Sequence, residues 1–363
     1  MRRVNYNTRF EKCQILFDYF FGFLYNIFEI FLNYGDCMKR LVVIAILLGL
    51  ILSGCTEEPP ISRDIFAMDT LINIRIWGEY ATLDSVCNMI YQLDSLLNAE
   101  DEGSDIYQLN NNGFLVVKSD TERVLSEAIR YSEETNGTFD PTIYPLVSAW
   151  KNAQQSPPDA EELSDLLPFV GTEHISIHGD AVSLSENAAL DLGAIGKGFA
   201  AQECIDYLRN CKVECAIVTL GGNVQTLGSK PDGSEWAIGI SDPENPNQSI
   251  GVLRFEGSLA LVTSGGYQRY YEIDGIKYHH ILDPKTGYPA ENELASVTIL
   301  AQNGMLADAF STALFVMGLE DASAFWRDRN DFEAVFILKD GSIIATDGAA
   351  SLLTDCEFTV IYR

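Results

Sequence analysis

Strand-like and helix-like segments follow one another in this chain without strict alternation, and this order constrains the fold more than any other feature. Apolar residues at helical spacing predict helices over residues 83–97 and 121–135, from a turn at 193–198 to residue 209, and over 305–317. Runs with strand character predict single strands at residues 66–77, 190–192, 216–220, 236–240, 251–255, 259–263 and 295–301, and hairpins at residues 175–184, 267–280 and 334–346. We expect the polar, proline-containing residues 151–167 to be a surface excursion. This pattern predicts the α+β class, with mixed sheets and flanking helices.

The N-terminus carries targeting signals rather than fold. Residues 38–54 combine a basic start, an apolar run and small residues before Cys55, which resembles the lipobox of bacterial lipoproteins. We expect residues 38–54 to be a signal peptide, Cys55 to be lipidated and residues 55–62 to be a tether. An uncleaved membrane anchor with a chance cysteine is the alternative. Residues 1–37 are predicted to be a non-native leader, with a first membrane segment as the alternative. Residues 63–363 then form the folded domain of a lipoprotein that we expect to be held to the lipid bilayer at the cell envelope and to face the periplasm or cell exterior.

The net charge of −28, from 24 basic and 52 acidic side chains, limits the possible partners. It repels phosphate-rich polymers, so we expect no nucleic-acid partner. It also opposes any anionic ligand, which would need a cation or local positive groups at its site.

One acidic residue and two hydroxyls share a face of the predicted helix at 305–317. Asp308, Ser311 and Thr312 are three and four residues apart, which places their oxygens side by side. Such hard oxygen ligands suit Mg²⁺ better than zinc or copper. We expect a magnesium site in a surface cleft; a half-buried helix start with ordinary polar residues is the alternative.

A glycine-rich turn at residues 191–198 leads into an earlier predicted helix. Backbone N–H groups at such a helix start, together with the positive charge of Lys197, can hold a phosphate. The spacing is not that of a P-loop or a convincing dinucleotide fingerprint. A packing role for the glycines stays open.

Two adjacent histidines, His279 and His280, precede a tight turn at residues 283–287. Side chains alternate along an extended segment, so both cannot face one site and we expect one of them to be structural. A histidine near a phosphate can act as a general base or as a hydrogen-bond donor.

These segments occur in a fixed order with several others, and the combination is far more specific than any one of them. The segments are residues 68–70, 137–142, 191–198, 220–223, 263–267, 280–287 and 307–314. Their order resembles the ApbE family of FAD:protein FMN transferases over nearly all of residues 62–360. Members of that family are commonly bacterial lipoproteins, which agrees with the prediction for Cys55.

The resemblance implies an ApbE-like, T-fold-like architecture and assigns positions to individual residues. The magnesium ligands of the family correspond to the side chains of Asp308, Ser311 and Thr312 and to the main-chain carbonyl of Ala194. The positions that contact FAD correspond to Met68, Thr138, Phe139, Asp140, Asp191, Lys197 and Leu282. The catalytic positions correspond to His280, which would assist the attack, and Asp308.

The activity implied is Mg²⁺-dependent transfer of FMN from FAD to a Thr or Ser hydroxyl of a target flavoprotein, with release of AMP. FAD is then a substrate, and the family suggests a flavoprotein subunit of a membrane electron-transport complex as the acceptor. A Mg²⁺-dependent FAD pyrophosphatase that yields FMN and AMP and a non-catalytic flavin-binding lipoprotein are the alternatives. Two positions depart from the family pattern: Ser311 stands where many members have Asp, and the acidic residues 100–102 stand where many have an aromatic residue.

Overall fold

The computed structural model describes residues 59–153, 156–267 and 269–363. The predicted leader, the signal peptide and Cys55 lie outside these residues. Among the helices described, none combines the length and the apolar character that crossing a membrane requires.

Helices and strands are mixed along the chain, which confirms the predicted α+β class. The helices are α1 Tyr80–Leu97, α2 Asp105–Asn112, α3 Ser119–Glu134, α4 Tyr144–Asn152, α5 Ala160–Leu166, α6 Gly196–Asn210, α7 Gly304–Arg327 and α8 Asp347–Ala350. The strands are β1 Ile61–Ala67, β2 Thr70–Ile76, β3 Phe114–Val116, β4 Ile175–His178, β5 Ala181–Leu184, β6 Ala216–Leu220, β7 Asn223–Leu227, β8 Trp236–Ser241, β9 Ser249–Phe255, β10 Ala260–Gly265, β11 Tyr270–Ile273, β12 Ile276–His279, β13 Leu294–Ala301, β14 Phe332–Leu338, β15 Ile343–Thr346, β16 Leu353–Thr354 and β17 Thr359–Ile361.

A nine-stranded sheet in the order β1-β2-β6-β7-β10-β13-β14-β15-β17 forms the centre of the domain. Neighbouring strands are antiparallel except β15 and β17, which are parallel. Smaller sheets have the orders β16-β9-β8, β3-β5-β4 and β11-β12.

The central sheet carries a hydrophobic core on each face, and the alternation of side chains along its strands decides which core a residue joins. In β2, Ile72, Ile74 and Ile76 are fully buried, whereas Leu71 and Arg75, which point to the other face of this edge region, are exposed. The isoleucines belong to the largest core, which α1, α6 and α7 complete on one face of the sheet. A second core lies on the opposite face, where residues of the central strands pack against the β16-β9-β8 sheet.

Five neighbouring strands, β1, β2, β6, β7 and β10, meet at one end of this sheet. The pairs Ala67↔Thr70, Leu220↔Asn223 and Asn223↔Val262 bring together the β1–β2 turn, the β6–β7 turn and the end of β10. This end of the sheet carries three of the segments that the sequence singled out, residues 68–70, 220–223 and 263–267.

Most of the helices and hairpins predicted from the sequence are present, and four segments differ. Residues 66–77 include the end of β1, a turn at Met68 and Asp69, and β2. The turn forms because both residues adopt a positive φ, and no glycine or proline in the sequence indicates it. Residues 190–192 are not a strand; only Ala189 makes an isolated bridge, to Ile143. The proposed excursion at 151–167 contains the end of α4 and all of α5.

Helix α7 does not stop at Gly318 as predicted. Gly318 has φ 76° and ψ 170°, which interrupts the helical geometry, and the helix resumes and runs to Arg327. The kink follows from the permissive backbone of glycine, because a helix can change direction there without ending.

Candidate active site

The N-terminal turn of α6 and the middle of α7 meet through one buried hydrogen bond. The backbone N–H of Gly198 donates to Oδ2 of Asp308 at 2.7 Å. Gly198 is the third residue of α6, so its N–H has no partner within the helix and the carboxylate supplies one. Asp308 is only 3% exposed, which corrects the expectation of a surface-cleft carboxylate. The close packing of the two helices is the reason.

Next to Asp308, three hydroxyl groups form a cluster. Oγ of Ser264 lies 2.8 Å from Oγ of Ser311 and 3.1 Å from Oγ1 of Thr312. Oγ of Ser311 also donates to the carbonyl oxygen of Asp308 at 2.8 Å. The helical spacing of Asp308, Ser311 and Thr312 therefore places them on one face as predicted, and Ser264 at the end of β10 completes the group.

The turn before α6 is stabilised by its own side chains. Oδ1 of Asp191 accepts a hydrogen bond from the N–H of Gly193 at 2.6 Å, and Nζ of Lys197 donates to the carbonyl oxygen of Gly193 at 3.0 Å. Burial raises the pKa of the Asp191 carboxyl, while the Gly193 N–H and the charge of Lys197 oppose that rise. Lys197 thus brings a positive charge to the start of α6, and Ala194 is half-buried within the same turn.

His280 lies close enough to Lys197 for the charge of Lys197 to lower its pKa. Nδ1 of His280 is 2.9 Å from the carbonyl oxygen of Arg269. Burial, together with the positive charges of Arg269 and Lys197, lowers the pKa of His280 to about 4, and the hydrogen bond to the Arg269 carbonyl oxygen partly opposes this shift. The imidazole is therefore neutral at pH ~7 and able to accept a proton.

The neighbouring His279 makes entirely different contacts. Its Nε2 lies 2.9 Å from the carbonyl oxygen of Ala290, and its ring packs edge-on against Phe315 of α7 at 5.5 Å. The structure thus separates the two histidines as alternation requires, with His279 packed inward.

Arg269 connects His280 to the β1–β2 turn. Its Nη2 donates to the carbonyl oxygen of Asp69 at 3.0 Å, while its own carbonyl oxygen accepts from the backbone N–H of His280 at 3.2 Å. Met68, beside Asp69 in this turn, packs against the main core. The turn with Met68 and the histidine therefore border the same site.

The segment with Thr138, Phe139 and Asp140 is joined to the glycine turn through the backbone. The N–H of Asp191 donates to the carbonyl oxygen of Pro141 at 2.8 Å. Burial raises the pKa of Asp140, and the N–H and hydroxyl of Thr142 partly offset this by donating to the carboxylate.

Three of the residues predicted to contact FAD have side chains that are already engaged. Phe139 is 2% exposed in the main core, and Leu282 is 3% exposed in a separate cluster around Trp150. Oγ1 of Thr138 donates to the carbonyl oxygen of Thr135 at 3.0 Å. Phe139 and Leu282 could reach a substrate chiefly through main-chain atoms.

The acidic stretch that departs from the family pattern is held beside an aromatic ring. Oη of Tyr144 donates to Oε1 of Glu100 at 3.0 Å, and Nζ of Lys151 lies 2.9 Å from Oε2 of the same carboxylate. Burial and the charges of Glu100 and Asp191 raise the pKa of Tyr144 to about 12. Tyr144 therefore supplies an aromatic side chain close to Asp191 on the side where Glu100 itself offers none.

The donor set around Asp308 fits Mg²⁺. Within the part of the chain that the structure describes, no group of three or more His, Cys, Asp and Glu side chains is placed to hold a metal ion. A single carboxylate with hydroxyls instead suits an ion that takes its remaining ligands from water and substrate phosphates, as Mg²⁺ does. Asp308, Ser311, Thr312 and the main chain at Ala194 are the residues that would hold it.

Sequence reasoning missed two contributors to this site. Ser264 lies in segment 263–267, which is one of the family-like segments named above. The sequence does not indicate that its hydroxyl contacts Ser311 and Thr312. Arg269 carries no signal in the sequence, because its contacts depend on the folded positions of the β1–β2 turn and His280.

Comparison with known proteins agrees with this geometry. The model of the ApbE family matches residues 68–336. An FAD:protein FMN transferase of Treponema pallidum (strain Nichols) is 31% identical over 314 residues, covering 79% of this chain and 87% of that protein. One of Klebsiella pneumoniae (strain 342) is 35% identical over 287 residues, covering 76% and 89%.

Solved structures show the same relationship. The ApbE protein of Thermotoga maritima superposes with a TM-score of 0.75 at 28% identity, covering 82% of this chain and all (100%) of that one. The flavin transferase ApbE of Vibrio cholerae gives a TM-score of 0.72 at 28% identity, covering 81% and 99%. On the family match, the sequence identity and the shared fold, this chain belongs to the ApbE family.

Proposed function

We propose that this protein is a Mg²⁺-dependent FAD:protein FMN transferase. It would move FMN from FAD to a Thr or Ser hydroxyl of a target flavoprotein and release AMP. The observation that carries the proposal is the bond between Gly198 and Asp308, because it joins the oxygen-rich face of α7 to the glycine turn that can receive a diphosphate. The relatives' shared name, FAD:protein FMN transferase, supports the reaction class.

The chain's own residues can bind and orient the diphosphate of FAD. The N-terminus of α6 carries the positive end of the helix dipole, and Lys197 adds a full charge. When bound, Mg²⁺ would neutralise charge that develops on the phosphates. In a chain of net charge −28, such local positive groups are needed to retain an anionic dinucleotide.

His280 would accept the proton. In the transfer, the acceptor hydroxyl oxygen bonds to the FMN-side phosphorus, the bond from that phosphorus to the bridging oxygen breaks, and AMP leaves with that oxygen. The hydroxyl proton must go to a base, and His280 is neutral near pH ~7 because its pKa is lowered to about 4.

Two alternatives follow from the same site. Water in place of the protein hydroxyl would give an FAD pyrophosphatase that yields FMN and AMP. A non-catalytic flavin-binding lipoprotein would not need the arrangement of Asp308, Thr312 and His280 found here, which favours the enzymatic proposals.

The experiment incubates the protein with FAD, Mg²⁺ and a candidate acceptor, a flavoprotein subunit of a membrane electron-transport complex from the same cell. Flavin fluorescence on the acceptor band in a denaturing gel supports transfer, and a Thr→Val change at the acceptor site should remove it. FMN and AMP released at the same rate without acceptor would support hydrolysis instead. No cleavage of FAD under either condition would refute both enzymatic proposals.

The location is part of the proposal. A lipid on Cys55 would hold the domain at the membrane surface, facing the periplasm or cell exterior, where it could meet a membrane-bound acceptor. The signal in residues 38–54 supports this placement.

A further inference from the structure

Asn223 is a buried polar side chain that the proposed function leaves unexplained. It begins β7 and is only 3% exposed, yet its Nδ2 has no hydrogen-bond partner among the described residues. Folded proteins rarely leave a buried amide donor unpaired, because burial removes the water that would otherwise satisfy it. The position of Asn223 in the fold indicates the role of its side chain.

The side chain of Asn223 points toward the helices, because Gln225 two residues later does so. Nε2 of Gln225 donates to Oε1 of Gln202 in α6 at 2.8 Å, and the same oxygen accepts from the N–H of Gly304 in α7 at 2.9 Å. One residue from each of α6, α7 and β7 thus meets in a polar row between the helices and the sheet.

One helical turn nearer the active site, the same three elements contribute Gly198, Asp308 and Asn223. The direction follows from connectivity: the C-terminus of α6 leads to the start of β6, and Ala216 there pairs with Leu227 at the end of β7. The N-terminus of α6 therefore lies toward Asn223. In this second row Gly198 and Asp308 bond to each other, and the amide of Asn223 remains unpaired.

Hydroxyl groups lie on the other side of Asn223. Asn223 pairs with Val262, and Ser264 follows two residues later on the same face of β10. Ser264 contacts Ser311 and Thr312. The register therefore places Asn223 on the sheet side of the site, between Asp308 and this hydroxyl cluster.

Gln225 provides a useful contrast. Its Oε1 also lacks a partner, but a Cβ built on Gly304 would lie 2.4 Å from that oxygen. The backbone of α7 therefore occupies the space beside Gln225 and leaves no room for a ligand there. Asn223 lies one turn further along, at the level of the site itself.

We propose that Asn223 is a substrate-positioning residue, whose Nδ2 donates to an oxygen that arrives with the diphosphate of FAD. That oxygen is either a phosphoryl oxygen or a water carried by the accompanying Mg²⁺; the chemistry of the acceptor is the same. This inference rests on the proposed function and adds to it a residue that binds the diphosphate from the sheet side.

The test measures FAD affinity and the stability of the ligand-free protein separately. Asn223→Leu removes the donor, and Asn223→Ala serves as a second variant should the larger side chain prevent folding. Ser296→Ala is the matched control, because Ser296 is fully buried, its Oγ is unpaired, and it lies on the opposite face of the same sheet, two residues from Thr298 that lines the cavity there. Binding is followed by flavin fluorescence polarisation directly after mixing, with and without Mg²⁺, and stability by the Tm of the ligand-free protein.

We expect Asn223→Leu to weaken FAD binding about tenfold or more, since a hydrogen bond to a charged group is lost. The Tm without ligand should stay the same or rise, because an unsatisfied donor has been removed. Weakening in the presence of Mg²⁺ only identifies a water held by the ion as the acceptor, and weakening under both conditions identifies a phosphoryl oxygen. Ser296→Ala should keep the affinity of the unchanged protein.

Two results would overturn the inference. FAD binding by both Asn223 variants as tight as that of the unchanged protein would exclude a contact with the ligand. A lower Tm with unchanged affinity of the folded fraction would assign Asn223 a structural role. If the unchanged protein itself bound no FAD, the proposed function would fail as well, which is a distinguishable outcome.

Discussion

Replacing Gly198 with alanine should force α6 and α7 apart at the active site. A Cβ built on Gly198 would lie 2.3 Å from the carbonyl oxygen of Gly304 and 2.5 Å from Cβ of Asp308. Favourable contacts between such atoms begin at about 3.5 Å. Neither neighbour is the far end of a flexible side chain, so the helices must separate by on the order of 1 Å.

The expected loss of stability combines three effects. Overpacking a well-packed interior costs about 1–3 kcal/mol. Breaking the hydrogen bond from the Gly198 N–H to the buried Asp308 carboxylate costs about 1.5–3 kcal/mol. The alanine offsets about 0.5–1 kcal/mol of this, because glycine in a helix loses more backbone entropy on folding. Since contributions of contacting groups are not additive, we expect a net decrease of roughly 2–4 kcal/mol in the free energy of unfolding.

Gly196 provides a matched control in the same turn of α6. A Cβ on Gly196 would meet nothing within 4 Å. Gly196→Ala should therefore leave the free energy of unfolding unchanged or raise it by up to about 1 kcal/mol. Urea unfolding of both variants measures the difference, and FAD titration shows whether Asp308 has moved. Equal stability of the two variants would show that α6 and α7 do not approach each other as described.

The remaining predictions concern the site and the anchor. Asp308→Ala should abolish FAD cleavage and also lower the free energy of unfolding by about 1–3 kcal/mol, because the Gly198 N–H loses its buried acceptor; FAD cleavage at the normal rate would contradict the metal assignment. Because burial lowers the pKa of His280 from 6.5 to about 4 on folding, the unfolded chain binds more protons between these pH values, and stability should fall as the pH is lowered from about 6.5 to about 4. His280→Gln should flatten this dependence in urea unfolding across that window, and an unchanged slope would place the titrating group elsewhere. Cys55→Ala should yield an active protein in the soluble fraction, whereas firm retention in the membrane pellet would exclude a lipid anchor on that residue.

Periodicity revealed the parts of this fold that local sequence controls. The spacing of three and four residues placed Asp308, Ser311 and Thr312 on one face, and the structure has them there. The hairpin at residues 66–77 was read as one strand because Met68 and Asp69 are not the residues that usually form a tight turn. Local sequence carries no sign that such a pair will adopt positive φ.

The tertiary contacts of the site could not be predicted from the sequence. Ser264 joins the site because β10 ends beside α7, and the burial of Asp308 results from the approach of α6. Both depend on strand order and helix packing between residues far apart in the chain. Gly318 was a correct signal for a break in α7, but whether a helix ends or resumes after a glycine is decided by the packing of the residues that follow, among them the buried Ala322 and Trp326.

The turn at Met68 and Asp69 sets limits on how this enzyme can be altered. Both residues hold left-handed backbone angles, with φ 51° and 57°, which residues other than glycine, asparagine and aspartate rarely adopt. Glycine would relax the backbone at either position, but at position 68 it would also remove a side chain that packs against the main core. Relief of backbone strain and loss of core packing oppose each other at Met68. Directed evolution toward high temperature should therefore leave Met68 unchanged and find its improvements elsewhere in the domain.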